Sequence, residues 1–183
     1  MFTKSPRFFA ALALGLALFV ASPALTGAAG TAPSAVNFSL KSVEGGNITS
    51  EMLRGDVVVL AFGASWLQLP RAQVQGVQQL ADEFADRDVR VYWVSTDSDK
   101  PQSKNYATDD QLRSFARRNS LKIAVLRDPD GALFRTLGVE RNQLPAVVLL
   151  DKEGNVAQAT GGFEADASLV SQLTPSLNRL LGK

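Results

Sequence analysis

Cysteine and histidine are both absent from the 183 residues of this chain. Without cysteine there is no disulfide, and no thiolate to attack, bind metal or be oxidised. Without histidine there is no imidazole to move a proton near neutral pH or to ligate zinc. Nucleophilic catalysis by Ser-His-Asp or Cys-His is therefore excluded. An excess of charge is lacking as well: 19 lysines and arginines face 18 aspartates and glutamates, a net charge of +1. Nucleic-acid binders usually present a strongly basic face, so nucleic acid is not an expected partner. The length suits one domain with a proper core.

The first residues carry an export pattern. Lys4 and Arg7 form a positive start, Phe8 to Val20 is an unbroken apolar or small run, and Ser22-Pro23-Ala24 supplies small residues at a cleavage site, with Gly27-Ala28-Ala29 as a second candidate. Residues 1–24 are expected to be a signal peptide, cleaved after 24 or 29, followed by a flexible segment over 25–35 and a folded domain over 36–183. The alternative is an uncleaved anchor, since a bilayer span needs roughly 20 apolar residues. Pro23 and Thr26 favour cleavage. The expected location is outside the cytoplasm, periplasmic or extracellular, with membrane attachment only if the segment stays uncleaved.

The remainder alternates strand and helix patterns. Asn37 to Leu40 reads as a short strand, Glu44 to Asn47 as a turn, and Thr49 or Ser50 as the cap of a short helix through Leu53 that ends at Gly55. Val57 to Phe62 is continuously apolar, as in a central strand covered on both faces. A helix is predicted from Leu69 to Ala85, with Val74, Val77, Ala81 and Phe84 on one face. Val89 to Val94 is the next strand, and Ser95 to Ala107 a loop. Thr108 to Gln111 is a capping-box sequence opening a helix with Leu112, Phe115 and Ala116 inward. A strand over Ile123 to Leu126, a turn at Asp128 to Gly131 and a short helix from Ala132 to Leu137 follow. Pro145 to Leu150 and Asn155 to Thr160 read as a hairpin. A last helix starts near Asp166, with Leu169, Leu173, Leu177 and Leu180 as its stripe and either a kink or a restart at Pro175. This order gives an α/β fold with a mixed sheet.

Three stretches, in order and at matching spacing, carry a resemblance. Val57 to Arg71 reads VVVLAFGASWLQLPR. It resembles the active-site stretch of exported thioredoxin-like proteins of the TlpA/ResA type, in which an apolar strand runs into F-W-A-x-W-C-x-x-C-R. Phe62, Ala64, Ser65, Trp66 and Arg71 match that frame. Leu67 stands at the first cysteine position, Pro70 at the second, Gly63 at the usual tryptophan, and Gln73 where a glutamate is frequent. Gln143 to Gly154 is similar to the family's cis-proline strand and hairpin, which implies that Pro145 is the cis-proline. Arg127 to Val139 is similar to the stretch before that proline. The alkyl hydroperoxide reductase and thiol-specific antioxidant (redoxin) group is a close relative of this type. The resemblance implies a thioredoxin-like fold with a mixed central sheet flanked by helices.

The departures remove the family's chemistry. That chemistry needs a thiolate at a helix N-terminus and a resolving thiol three residues on. Leu67 and Pro70 supply neither, so no catalytic residue is expected at these degenerate positions. What remains is a groove between Trp66, Leu67, Gln68, Leu69 and Pro70 on one side and Leu144 and Pro145 on the other, with at least one of Leu67 and Leu69 expected at the surface. The expected function is a redox-inactive module that binds a polypeptide partner or acts as a scaffold. Two alternatives stand beside it: a non-catalytic subunit of an envelope thiol-disulfide or peroxide-detoxifying system, and an enzyme using non-thiol chemistry. No cofactor is expected. The acidic groups Asp97, Asp99, Asp109, Asp110 and Asp128-x-Asp130 are weak calcium candidates, because Val139 stands where a calcium loop beginning at Asp128 would end in glutamate. They read better as solvated turn carboxylates, so no metal site is expected. The Asn37 and Asn47 glycosylation sequons are two short matches of little weight.

Overall fold

The computed structural model describes residues 35–69, 71–162 and 168–182. The signal-peptide reading and the segment over 25–34 lie outside the described residues, as do Pro70 and Asp166. No helix among the described residues is long and apolar enough to cross a membrane.

Seven strands and four helices follow one another: β1 (Ser39–Ser42), β2 (Asn47–Thr49), β3 (Val57–Gly63), α1 (Arg71–Glu83), β4 (Val89–Ser95), α2 (Asp109–Arg118), β5 (Val125–Arg127), α3 (Ala132–Thr136), β6 (Ala146–Leu150), β7 (Val156–Gly161) and α4 (Leu169–Leu180). The strands form one sheet in the order β2-β1-β5-β4-β3-β6-β7. β3, β4 and β5 are parallel neighbours, while β6, β7, β1 and β2 pair antiparallel. The mixed α/β architecture expected from the sequence is the one observed.

Strand alternation divides the core into two layers. On β3, Val57, Val59 and Ala61 point to one face, while Val58, Leu60 and Phe62 point to the other. β6 divides likewise, with Val147 and Leu149 opposed to Ala146, Val148 and Leu150. The first layer is closed by Val74, Val77 and Leu80 of α1, Leu112 and Phe115 of α2, and Leu169, Leu173 and Leu177 of α4. The second is closed by Leu133 and Phe134 of α3. All seven residues of β3 are buried, as an unbroken apolar run requires when both faces are covered.

Several boundaries differ from expectation for local reasons. β1 begins at Ser39 because Phe38 is held outside the strand by Ser50, whose Oγ accepts from the Phe38 amide and whose amide donates to the Phe38 carbonyl. Ser50 precedes a 3₁₀ turn (Glu51–Leu53), and its side chain does not cap it. α1 starts at Arg71, not Leu69. A residue before proline is pushed out of the helical region, so Leu69 cannot begin a helix that runs through Pro70. Leu80, fully buried, belongs to the inward face that the expected stripe left out, whereas Ala81 is only partly buried. α4 is one helix with Pro175 inside it, so the restart does not occur. The Thr174 hydroxyl donates instead to the Val170 carbonyl.

Gly63, the last residue of β3, is required by packing. A β-carbon there would lie 2.3 Å from Cζ2 and 2.6 Å from Cη2 of Trp93. Trp93 is 2% exposed, and its ring lies 5.4 Å from that of Phe115, tilted by 40°. A bulky residue on β4 therefore occupies the space beside the position where the resembling family carries its own tryptophan.

A charged cluster fastens α2 to the sheet. Arg127 on β5, 7% exposed, donates from Nη1 to Asp109 Oδ1 at 2.6 Å and from Nη2 to the Ala107 carbonyl at 2.8 Å. Lys41 of β1 donates to Asp109 Oδ2 at 2.7 Å. The expected capping box closes the same helix end: Thr108 Oγ1 accepts from the Gln111 amide, and Gln111 Oε1 accepts from the Thr108 amide. The Lys41 ammonium, with Arg127 beside it, holds the Asp109 carboxyl below its ordinary range.

Gly63→Ala is expected to destabilise the fold by about 1–3 kcal/mol through overpacking, measured by urea denaturation. Combined with Trp93→Leu, most of that added cost should disappear in a double-mutant cycle. For Asp109 the depressed folded-state pKa means a contribution present above the usual carboxylate pKa of about 4 and lost as pH falls through the folded value. Asp109→Asn should therefore be less stable than the parent at neutral pH, with the gap narrowing under acid. An equal gap at both ends of the titration would show that ionised Asp109 contributes nothing.

Candidate functional site

The site lies at the carboxyl ends of the parallel strands β3, β4 and β5, where open α/β sheets place ligands. After Gly63 the chain makes a turn, with the Leu67 amide donating to the Ala64 carbonyl at 3.2 Å and the Leu69 amide donating to the Leu67 carbonyl at 2.8 Å. Leu67 thus sits in a turn before α1, which begins at Arg71.

A buried carboxylate holds this turn. Asp97, 1% exposed, follows β4. Its Oδ2 accepts from the Ser65 amide at 2.8 Å and from the Ser95 hydroxyl at 2.7 Å, and its Oδ1 accepts from the Ser65 hydroxyl at 2.8 Å. The Thr96 amide donates to the Gly63 carbonyl at 2.9 Å. Charge-assisted bonds to a buried acceptor are among the stronger ones. They hold Ser65, and the residue that follows it, Trp66, is 55% exposed.

Trp66 borders a cleft of about 210 Å³ lined also by Thr96, Asn105, Gly131, Phe134 and Leu144. Phe134 is placed by Asp128, whose carboxylate accepts from the Leu133 and Phe134 amides at 3.2 and 2.9 Å and so caps α3. Its ring lies 5.1 Å from that of Phe62. Leu144 enters from the opposite wall. The Leu144–Pro145 peptide bond is cis, and the Gly162 amide donates to the carbonyls of Gln143 and Pro145, each at 3.0 Å.

Of the residues expected to form the groove, Trp66 and Leu144 meet in this cleft. Leu67 and Leu69 are each partly buried, and Leu69 packs against the layer closed by α1. Neither is exposed, contrary to expectation. Gln68 is exposed, Pro145 is partly buried beside Leu144, and neither lines the cleft. Thr96, Asn105, Gly131 and Phe134 were not assigned from sequence. Gly131 and Phe134 lie within the Arg127 to Val139 stretch that resembles the family, and that position was the available signal.

Four of the acidic residues weighed as calcium ligands are committed elsewhere. Asp97 serves Ser65 and Ser95, Asp128 caps α3, Asp109 meets Lys41 and Arg127, and Asp110 pairs with Arg113 at 2.6 Å. Among the described residues no group of three or more acidic side chains could hold a metal ion. Asp97→Ala would leave three donors, the buried Ser95 hydroxyl and two groups of the half-buried Ser65, without their acceptor. It is expected to cost about 3 kcal/mol in urea denaturation and to speed amide exchange at Ser65 and Trp66 selectively.

The chain is similar to known proteins in sequence and in fold. The chain is 26% identical over 144 residues to the thiol-disulfide oxidoreductase ResA of Bacillus thuringiensis subsp. konkukian (strain 97-27), covering 77% of each chain. Among solved structures it is similar to the pneumococcal exposed lipoprotein thioredoxin (Etrx1) of Streptococcus pneumoniae strain TIGR4, with 27% identity, a TM-score of 0.60, and coverage of 76% of this chain and 99% of that one. A thiol-disulfide oxidoreductase from Bacteroides fragilis NCTC 9343 superposes with a TM-score of 0.62 at 19% identity, covering 79% of this chain and 99% of that one. The fold is thioredoxin-like. Since the AhpC/TSA family profile matches residues 31–159, most of its length, this cysteine-free chain belongs to the AhpC/TSA family.

Proposed function

We propose that this chain is a redox-inactive, thioredoxin-like binding module that holds a polypeptide segment against Trp66 and the Leu144–Pro145 loop. The observation that carries this reading is the cleft beside Trp66. It is walled by Trp66, Phe134 and Leu144, with Thr96 and Asn105 as its polar members, and an exposed tryptophan stands at its rim. Size favours a side chain as the occupant: small-molecule and cofactor sites enclose roughly 300–1,000 Å³, and this cleft holds about 210 Å³. Apolar anchors of partner proteins seat in pockets of this kind, with Trp as a frequent energetic centre.

The absence of every thiol supports redox inactivity. Export is supported by the pattern over residues 1–24 and by likeness to an exposed lipoprotein of the pneumococcus. In that compartment the module acts through binding, without passing electrons.

Two measurements test the reading. Reduction of a protein disulfide and of hydrogen peroxide, each with a thiol donor, should proceed at the blank rate, and turnover would overturn redox inactivity. Unstructured peptides with a central Phe or Leu should bind the parent protein, and Trp66→Ala should weaken them at least about tenfold. Equal affinity in the two proteins would remove Trp66 from the site.

A further inference from the structure

A second cleft adjoins the first. It encloses about 430 Å³ and is lined by Ser65, Tyr106, Asp110, Gln111, Ser114 and Arg118. Two separate chain segments contribute consecutive residues to the pair: Ser65 lines this cleft and Trp66 the other, while Tyr106 lines this one and Asn105 the other. Successive Cα atoms are ~3.8 Å apart. The two clefts therefore flank one ridge built from residues 65–66 and 105–106, and an extended segment crossing that ridge meets both.

The chemistry of the second cleft differs from that of the first. Most of its polar groups are already engaged. Asp110 is paired with Arg113 at 2.6 Å. Gln111 closes the capping box with Thr108. Ser114 Oγ accepts from Arg117 Nη2 at 2.9 Å, and the Ser65 hydroxyl donates to Asp97. Arg118 and the Tyr106 hydroxyl have no side-chain partner among the described residues, and both side chains belong to exposed residues. A guanidinium offers five donors and no acceptor. The uncommitted groups of this cleft are thus a cation and a phenol, and the neighbouring Asp110 carboxylate is already ion-paired with Arg113.

We infer that the partner is recognised at both clefts at once, by an extended polypeptide that seats an apolar side chain beside Trp66 and places a carboxylate, a few residues along, on Arg118 and Tyr106. This rests on the reading of the Trp66 cleft as a polypeptide site, and it names the class of segment: an apolar anchor with an acidic neighbour on one side. Charge complementarity selects the acidic residue, since a basic one would face Arg118 directly. An exposed arginine adds modest affinity and sharper discrimination.

The experiment uses an array of nine-residue synthetic peptides with Phe or Leu at the centre and Glu, Ser or Lys scanned through the flanking positions. Binding is measured for the parent protein, Arg118→Glu and Trp66→Ala. The parent should prefer Glu over Lys about fivefold at positions on one flank, with the preference shrinking as salt is raised. Arg118→Glu should reverse that preference to Lys while keeping the apolar requirement. Trp66→Ala should weaken the whole array. If Trp66→Ala weakens the array but the parent shows no charge preference, or Arg118→Glu keeps the parent's, the two-cleft recognition falls and the polypeptide reading stands. If no peptide with an apolar centre binds the parent, or Trp66→Ala binds as well as the parent, both fall.

Discussion

The site depends on one buried acceptor. Asp97 takes hydrogen bonds from the amide and hydroxyl of Ser65 and from the Ser95 hydroxyl, and in doing so joins the turn after β3 to the end of β4. A turn at the end of a strand has few contacts of its own and tends to be mobile. Here it is fixed at Ser65, so the indole of the following residue is presented to solvent from a determined backbone. Both clefts meet along this segment, one lined by Ser65 and the other by Trp66. Unpairing a buried polar group carries its full desolvation penalty, so the clamp is held or lost as a unit.

Around that clamp the architecture is ordinary α/β physics. Three parallel strands with both faces covered supply a rigid floor, and the helices close the layers on either side. The carboxylates with structural roles divide the work. Asp128 caps α3 and so sets Phe134 in the cleft wall, while Asp109 accepts from β1 and β5 and so fixes the start of α2. Each places one wall of one cleft. None is free to act as a general acid or base without releasing the element it holds.

Much of this was legible in the sequence where the signal is periodic. The unbroken run from Val57 to Phe62, the capping box at Thr108, the hairpin after Pro145 and the leucine stripe of α4 each carry a local pattern that the tertiary fold obeys. The cleft was legible only in part. Trp66 and Leu144 stood out through the frame they share with a family, but Asn105, Thr96 and Phe134 come from three loops and helix ends that no periodicity brings together. Asp97 looked like one more turn carboxylate, because burial of a polar residue is a tertiary property that composition does not mark. The start of α1 was misread because the effect of Pro70 on Leu69 acts one residue upstream of the proline.

Trp93 extends the difference from the resembling frame beyond residues 67 and 70. Its ring fills the space beside Gly63, where the resembling proteins carry a tryptophan on the other strand, and the turn that follows holds residue 67 ahead of the helix. The difference from that frame therefore reaches beyond the two sulfur positions into the packing between β3 and β4. Putting cysteines at 67 and 70 would change the turn and leave that packing as it is.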